Sequence, residues 1–370
     1  MNSLDFLIAD LPEDVNNLIC FGEFQKAVRL IDIYLDRNIS NTLKQRLNFE
    51  KYRLNVLKNE YIYTFEEALE LAQEKIEGFT RQDLEDLKDQ RYADWIFIEG
   101  RVMFSKRFLD NIIKVHPTIK ERLRIKEIEN EVERDFLDNT IKEIIEKGEK
   151  SYFIHLKTGI KIKNEYARIN ETVRVHLPIP QKAQQIANIN ILNTSHTAKF
   201  ISPETYPQRT IFFEEQLKEN ENFTVEYSYE NHVKYVNPDF NKVLKRQPKF
   251  HTNEWLPQIK FSPFLVDLAR EIVKEEVNPL LKARKIYDYI TQNVQYSYVR
   301  PYVSIVNIPE YAAYNLKGDC GVQALLFITL CRIVGIPAKW QSGLYVTPYG
   351  VGPHDWAQFY IEPYGWLFAD

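Results

Sequence analysis

Glycine is scarce in this chain of 370 residues, with only 12, and cysteine is scarcer, with three. The cysteines, Cys20, Cys320 and Cys331, are too few and odd in number for a disulfide scaffold. Free thiols in a reducing, cytoplasmic setting are therefore expected. No apolar run approaches the ~18 residues that a bilayer span requires, so no membrane partner is expected. The first residues carry Asp5, Asp10, Glu13 and Asp14 without a basic cluster, which argues against a secretory signal. A positive excess is also missing. Lys and Arg total 48 against 52 for Asp and Glu, a net charge of −4, so no nucleic-acid partner is expected. There is no Cys-x-x-Cys pair and no calcium loop of EF-hand spacing, so neither metal nor cofactor is expected.

What is present is ordinary globular composition, 44% hydrophobic and 27% charged, at a length suited to two or three domains. The patterning changes twice along the chain and implies an α+β protein. Residues 1–150 read as a helical domain: Leu18, Phe21, Phe24, Val28, Ile31 and Leu35 recur at three- and four-residue steps. Gly22 falls where two short helices would turn. Ile125, Ile128, Val132, Phe136, Ile141 and Ile144 predict another helix behind Pro117, and residues 95–98 suit a short strand. No 34-residue period supports a helical repeat. A packing domain is the plain reading, with a protein partner for this segment as the functional one.

Residues 151–250 switch to period two, as in Val173, Val175, Leu177 and Ile179, and again in Phe223, Val225, Tyr227 and Tyr229. Short strands with polar turns predict an antiparallel, sandwich-like β domain. Its histidines, His155, His176, His196 and His232, are isolated and read as surface or strand residues. Residues 251–370 return to helix: Ser262 before Pro263 and Asn278 before Pro279 are caps followed by a first-turn proline. From the two composition shifts the first 250 residues are expected to be separable from the last segment.

Seven of the 12 glycines and three of the five tryptophans lie after residue 317. The run from Gly318 through Asp319, Cys320, Gly321, Val322, Gln323 and Ala324 enters an almost wholly apolar helix, which Gly335 and Pro337 end. A thiol at a helix start faces unpaired N–H groups and the positive end of the dipole, both of which favour thiolate. Gly318 and Gly321 would leave room for a substrate backbone beside the sulfur. Most free cysteines are merely buried, and Cys331, among Leu330, Ile333 and Val334, reads that way; Cys20 reads as helix packing. A thiol nucleophile needs a base and a group to orient it. His354 is the only histidine after Cys320, and Asp370 follows on the next expected strand.

These residues resemble the core of the transglutaminase-like superfamily. The match is carried by Gly318 to Gly321 with Gln323 and Ala324, by Cys331 and Arg332, and by Gly335 to Ala338. It continues through Gly343, His354, Trp356, Gly365 and Trp366 to Asp370. The resemblance implies a papain-like core over 251–370. It implies Cys320 as nucleophile, His354 as base and Asp370 as orienting acid, with Trp356 walling the cleft. The implied reaction is attack on a carboxamide of a protein or peptide through a cysteine thioester, followed by hydrolysis or by transfer to an amine. A catalytically inactive binding module is the competing reading, and thiol reactivity at Cys320 separates the two.

The triad sets a condition on register. If residues 354–360 and 366–370 pair as an antiparallel hairpin, His354 stands opposite Asp370 only with the loop centred on Glu362. A four-residue loop at 362–365 puts Asp370 opposite Ala357, facing away from His354. An odd-length loop or a bulge near Pro363 is therefore expected. Asp355 faces the other side and cannot substitute. Further strand is expected beyond Asp370.

Overall fold

The computed structural model describes residues 4–125 and 131–370. Ile128, one of the apolar positions expected after Pro117, lies outside them. The chain forms two compact units, Met1–Ile128 with Asp239–Asp370, and Glu129–Pro238. This differs from a division at 150 and 250. The N-terminal and C-terminal segments share a unit because polar side chains of the first lock onto the backbone of the second, as described below.

In the first unit, α1 (Glu13–Cys20) and α2 (Phe24–Leu35) are joined through Gly22, whose φ is +74°. A Cβ there would lie 2.4 Å from the Phe97 carbonyl oxygen, so only glycine fits both the turn and the contact. Phe24, Ala27 and Ile31 are buried against α3 (Asn41–Glu60), which Ser40 caps. Phe21, placed on the same apolar face by its spacing, is instead 76% exposed, and Cys20 is exposed at the helix end. After α3 come β1 (Tyr61–Thr64), α4 (Phe65–Lys75) and α5 (Arg81–Asp89), both helices opening on capping boxes. Then follow β2 (Trp95–Ile98), β3 (Arg101–Ser105), α6 (Phe108–Val115) and α7 (Pro117–Glu121). The strand expected at 95–98 is one of three in a small antiparallel sheet of order β1-β3-β2.

The second unit opens on α8 (Glu131–Lys147) and continues with β4 (Glu149–Ile160), β5 (Thr172–Pro178) and β6 (Ile186–Thr194). It ends with β7 (Phe200–Ile201), β8 (Thr210–Gln216) and β9 (Phe223–Lys234). The strands form two antiparallel sheets, β4-β9-β6 and β5-β8-β7. Val175 and Leu177 of β5, Ile211 and Phe213 of β8, and Phe223, Val225 and Tyr227 of β9 share one core. Alternate residues point inward, as the period of two requires.

The first unit resumes with α9 (Pro263–Val273) and α10 (Pro279–Asn293), started by Ser262 and Asn278. After β10 (Gln295–Tyr296) come α11 (Ile308–Asn315), β11 (Lys317–Gly318) and α12 (Cys320–Ile333). The chain closes with β12 (Ala338–Thr347), β13 (Gly350–Ile361) and β14 (Gly365–Ala369), an antiparallel sheet in sequence order. Helix α12 is buried nearly all round among α9, α10, α11 and β13, which accounts for its lack of a polar face. Cys331 is fully buried there. Gly335 has φ +82° where α12 ends. Arg332, also buried, donates to the carbonyls of Ala338 and Asn253 at 2.8 Å each and so pins the start of β12.

Two buried side chains of the N-terminal segment bind the backbone next to β10. Arg53 donates to the Val303 carbonyl at 2.9 Å, and Glu50 holds Arg53 at 2.9 Å and Arg46 at 2.7 Å. Asn111 on α6 donates to the Tyr298 carbonyl at 2.9 Å and accepts the Tyr298 N–H at 2.8 Å. Among the described residues no helix is long and apolar enough to cross a membrane.

Candidate active site

Cys320 begins α12, as its sequence context implied. Asp319 is the N-cap, accepting the Val322 N–H at 3.1 Å and the Tyr302 hydroxyl at 2.5 Å. Cys320 is partly buried. Its sulfur accepts from the backbone N–H groups of Asp355 and Gly321 and meets the hydroxyl of Tyr296. Tyr296 is brought there by β10, which pairs in parallel with β11 and sets Tyr296 beside Gly318.

These surroundings do not favour thiolate as a bare helix start would. Burial pushes the thiol above its ordinary range, and the Asp319 and Asp355 carboxylates push the same way. The two N–H groups pull it down without reversing the shift. Burial, together with the Cys320 and Asp319 charges, pushes Tyr296 up to about 12, so its hydroxyl stays protonated at neutral pH. Cys331 is pushed well up by burial alone.

The two glycines next to Cys320 correct the reading of them as substrate space. A Cβ on Gly321 would lie 2.3 Å from the Tyr302 hydroxyl and 2.9 Å from Asp355 Oδ2; one on Gly318 would lie 2.4 Å from Val322 Cγ1. The chain itself fills the room they leave. Their function is close packing of Tyr302, Asp355 and Val322 around the helix start.

His354 lies on β13 opposite Gly343. Its Nε2 is 2.6 Å from Asp370 Oδ2. The hairpin reaches this contact in a way the opposed-pair argument did not foresee. The pairs Ile361 with Gly365 and Ala357 with Ala369 leave a three-residue loop, odd in length and centred on Pro363 rather than Glu362. Asp370 therefore falls opposite Trp356, one diagonal step from His354 and on the same face. A diagonal neighbour lies ~7–8 Å away at Cα, and an imidazole can span that gap. The loop is held from outside the hairpin. Gln247 accepts the Glu362 N–H at 2.9 Å, the Leu244 N–H reaches the Glu362 carbonyl at 3.1 Å, and Tyr364 exchanges hydrogen bonds with the Asp239 backbone.

Trp356 stacks on the His354 ring, with centroids 5.9 Å apart and planes at 27°. Gly343 makes this possible, since a Cβ there would lie 3.0 Å from the Trp356 ring. Tyr345 meets the His354 ring edge-on at 6.3 Å. Asp355 faces away from His354, as alternation requires, and its Oδ1 accepts from Trp340 Nε1 at 3.1 Å. Tyr296, Tyr302 and Asp355 were missed as neighbours of the sulfur from sequence. Tyr296 carried a faint signal in the cluster with Tyr298 just after a helix; the other two carried none. Among the described residues no group of three His, Cys, Asp or Glu side chains could hold a metal ion.

A thiol at a helix start beside a strand bearing a His–carboxylate pair is an arrangement suited to acyl transfer. Residues 266–370 match the family model of the transglutaminase-like superfamily, so the chain carries a transglutaminase-like domain at its C-terminal end. That match supports an enzyme of the thiol kind. Among solved structures, the chain is similar to a candidate cysteine protease from Cytophaga hutchinsonii at 17% identity, covering 60% of this chain and 77% of that one, with a TM-score of 0.46. It is also similar to the periplasmic domain of TgpA from Pseudomonas aeruginosa at 14% identity, covering 59% and 81%, with a TM-score of 0.32. Likenesses this distant carry no argument about reaction or substrate. No curated protein matches the chain significantly.

Proposed function

We propose that the chain is a thiol enzyme acting on a carboxamide of a peptide or protein in a reducing, cytoplasmic compartment. Its last segment, 251–370, is read as a papain-like core with Cys320, His354 and Asp370 as the triad. The observation that carries this reading is the 2.6 Å contact between His354 Nε2 and Asp370 Oδ2, on a strand whose next residue donates its N–H to the Cys320 sulfur. The carboxylate fixes the ring by engaging Nε2, which leaves Nδ1 as the nitrogen for the thiol proton. Since burial and two carboxylates hold the thiol protonated, thiolate forms as His354 takes its proton.

The sulfur then bonds to the carboxamide carbon. The C–N bond breaks, and the imidazolium gives its proton to the departing ammonia or amine, leaving a thioester. Water or a substrate amine attacks the thioester with His354 accepting a proton. The C–S bond breaks and the proton returns to sulfur. The backbone N–H of Cys320 is the candidate donor for the oxyanion of each tetrahedral intermediate, since the Gly321 and Val322 N–H groups are engaged by the sulfur and by Asp319. Trp356 stacks beside the His354 ring and limits its rotation.

Trapping tests this reading: the full chain is incubated with a peptide mixture, quenched in acid, and the acyl group on Cys320 is identified by mass spectrometry. Cys320→Ala should form no adduct and turn over no amide while folding normally. Full turnover by that variant refutes the assignment. An intact Cys320 that neither traps acyl groups nor reacts with iodoacetamide identifies an inactive binding module.

A further inference from the structure

The N-terminal helices reach the residues that flank the sulfur. Asn111 clamps both backbone groups of Tyr298, and three residues further along the same helix face Lys114 lies over the adjoining aromatic rings. Its ammonium is 4.1 Å from the centroid of Tyr296 and 5.0 Å from that of Tyr298. Tyr296 is the residue whose hydroxyl meets the Cys320 sulfur, so a single phenol ring separates the ammonium from the nucleophile. Arg107 also lies over Tyr298, at 3.5 Å, but Asp110 already pairs with it at 2.8 Å. Lys114 is exposed, and among the described residues no carboxylate is paired with it. It is the uncommitted charge on this wall.

The helix-start side of the sulfur is acidic. Asp319 caps the helix and Asp355 reaches in from β13. A carboxylate on a bound substrate is repelled from that side and drawn toward Lys114. Given Cys320 as the nucleophile, on which this inference rests, we infer that Lys114, laid over Tyr296 and Tyr298, is an anion-accepting subsite. It selects acyl donors with a carboxylate one or two residues from the reactive carboxamide. An extended chain advances ~3.5 Å per residue, which is the spacing that brings such a carboxylate past the phenol ring to the ammonium. The two tyrosine faces hold the side chain in place without neutralising it. The substrate class is thus an acidic peptide segment, and the N-terminal segment supplies part of the binding site.

The test compares two alkylating probes of similar size on the full chain at low ionic strength, iodoacetate, which is anionic, and iodoacetamide, which is neutral. Rates are read at Cys320 by peptide mass spectrometry. Lys114→Gln should lower the iodoacetate rate about threefold relative to iodoacetamide, through loss of one unit charge near the sulfur. Lys114→Arg should keep the ratio, and ~1 M salt should bring all three chains to one value. An unchanged ratio in Lys114→Gln, with iodoacetamide still reacting at Cys320, overturns the subsite and leaves the thiol reading standing. No iodoacetamide reaction at Cys320 in the unaltered chain overturns both.

Discussion

Asn111→Ala removes the clamp between the N-terminal helices and the segment beside Cys320. The side chain is only 4% exposed, and its amide makes both hydrogen bonds to Tyr298, at 2.9 Å and 2.8 Å. Each bond contributes ~1 kcal/mol net, and a buried group left unpaired costs ~1–3 kcal/mol. Tyr298 is 37% exposed, so water repairs part of the loss. The expected destabilisation is then ~2–4 kcal/mol. For a unit of this size, a midpoint shift of ~2–4 °C per kcal/mol gives a fall in Tm of about 4–16 °C. Tryptophan fluorescence in a urea titration gives the free energy, and a thermal scan gives the midpoint. Asn111→Asp keeps an acceptor for the Tyr298 N–H but faces the Tyr298 carbonyl with a second acceptor, so it should lose at least as much. A truncated chain beginning at residue 251 lacks Arg53 and Asn111 and is expected to lose the labelling of Cys320. If Asn111→Ala stays within ~0.5 kcal/mol of the parent, the range of an ordinary surface change, the clamp is idle and the segments are independent.

Two further variants probe the thiol itself. Asp355→Asn keeps an acceptor for Trp340 but removes a negative charge beside the sulfur. An anion raises a neighbouring thiol pKa, so its removal lowers it, and iodoacetamide labelling at pH 7 should rise about two- to fivefold with the midpoint of the pH–rate curve moving down. A shift upward would contradict this electrostatic account. Gly321→Ala should cost ~1–3 kcal/mol and disturb the Tyr302–Asp319 hydrogen bond, because its Cβ would lie 2.3 Å from the Tyr302 hydroxyl. A stable, fully reactive Gly321→Ala protein would restore the reading of this glycine as substrate space.

Much of the local architecture was legible because it rests on neighbours in sequence. Ser262 with Pro263 and Asn278 with Pro279 start α9 and α10, since a side-chain oxygen and a ring-fixed φ act within three residues. Gly335 ends α12 because only a glycine adopts its backbone cheaply. The period of two in 151–250 corresponds to strands, and the apolar run after Cys320 to a buried helix. The parity condition was legible as well: alternation alone demands an odd-length loop near Pro363 if His354 and Asp370 are to share a face, and a three-residue loop is found.

The sequence by itself thus determined which residues are candidates for the chemistry, where many of the helices begin and end, and which faces the strands present. The tertiary structure decided how they meet. The register is set by Gln247, Leu244 and Asp239, more than a hundred residues before the loop they hold, and it puts Asp370 on the diagonal from His354 instead of opposite it. The thiol environment comes from Tyr296 and Asp355, brought to one sulfur by β10 and β13, and burial there with the Asp319 and Asp355 carboxylates reverses the pKa direction expected of a helix start. Asn111 and Lys114 arrive from a segment nearly two hundred residues away. Caps, turns and periods repeat within a few residues and mark the chain locally. Contacts closed across long loops have no period, and they exist only once the intervening chain has packed.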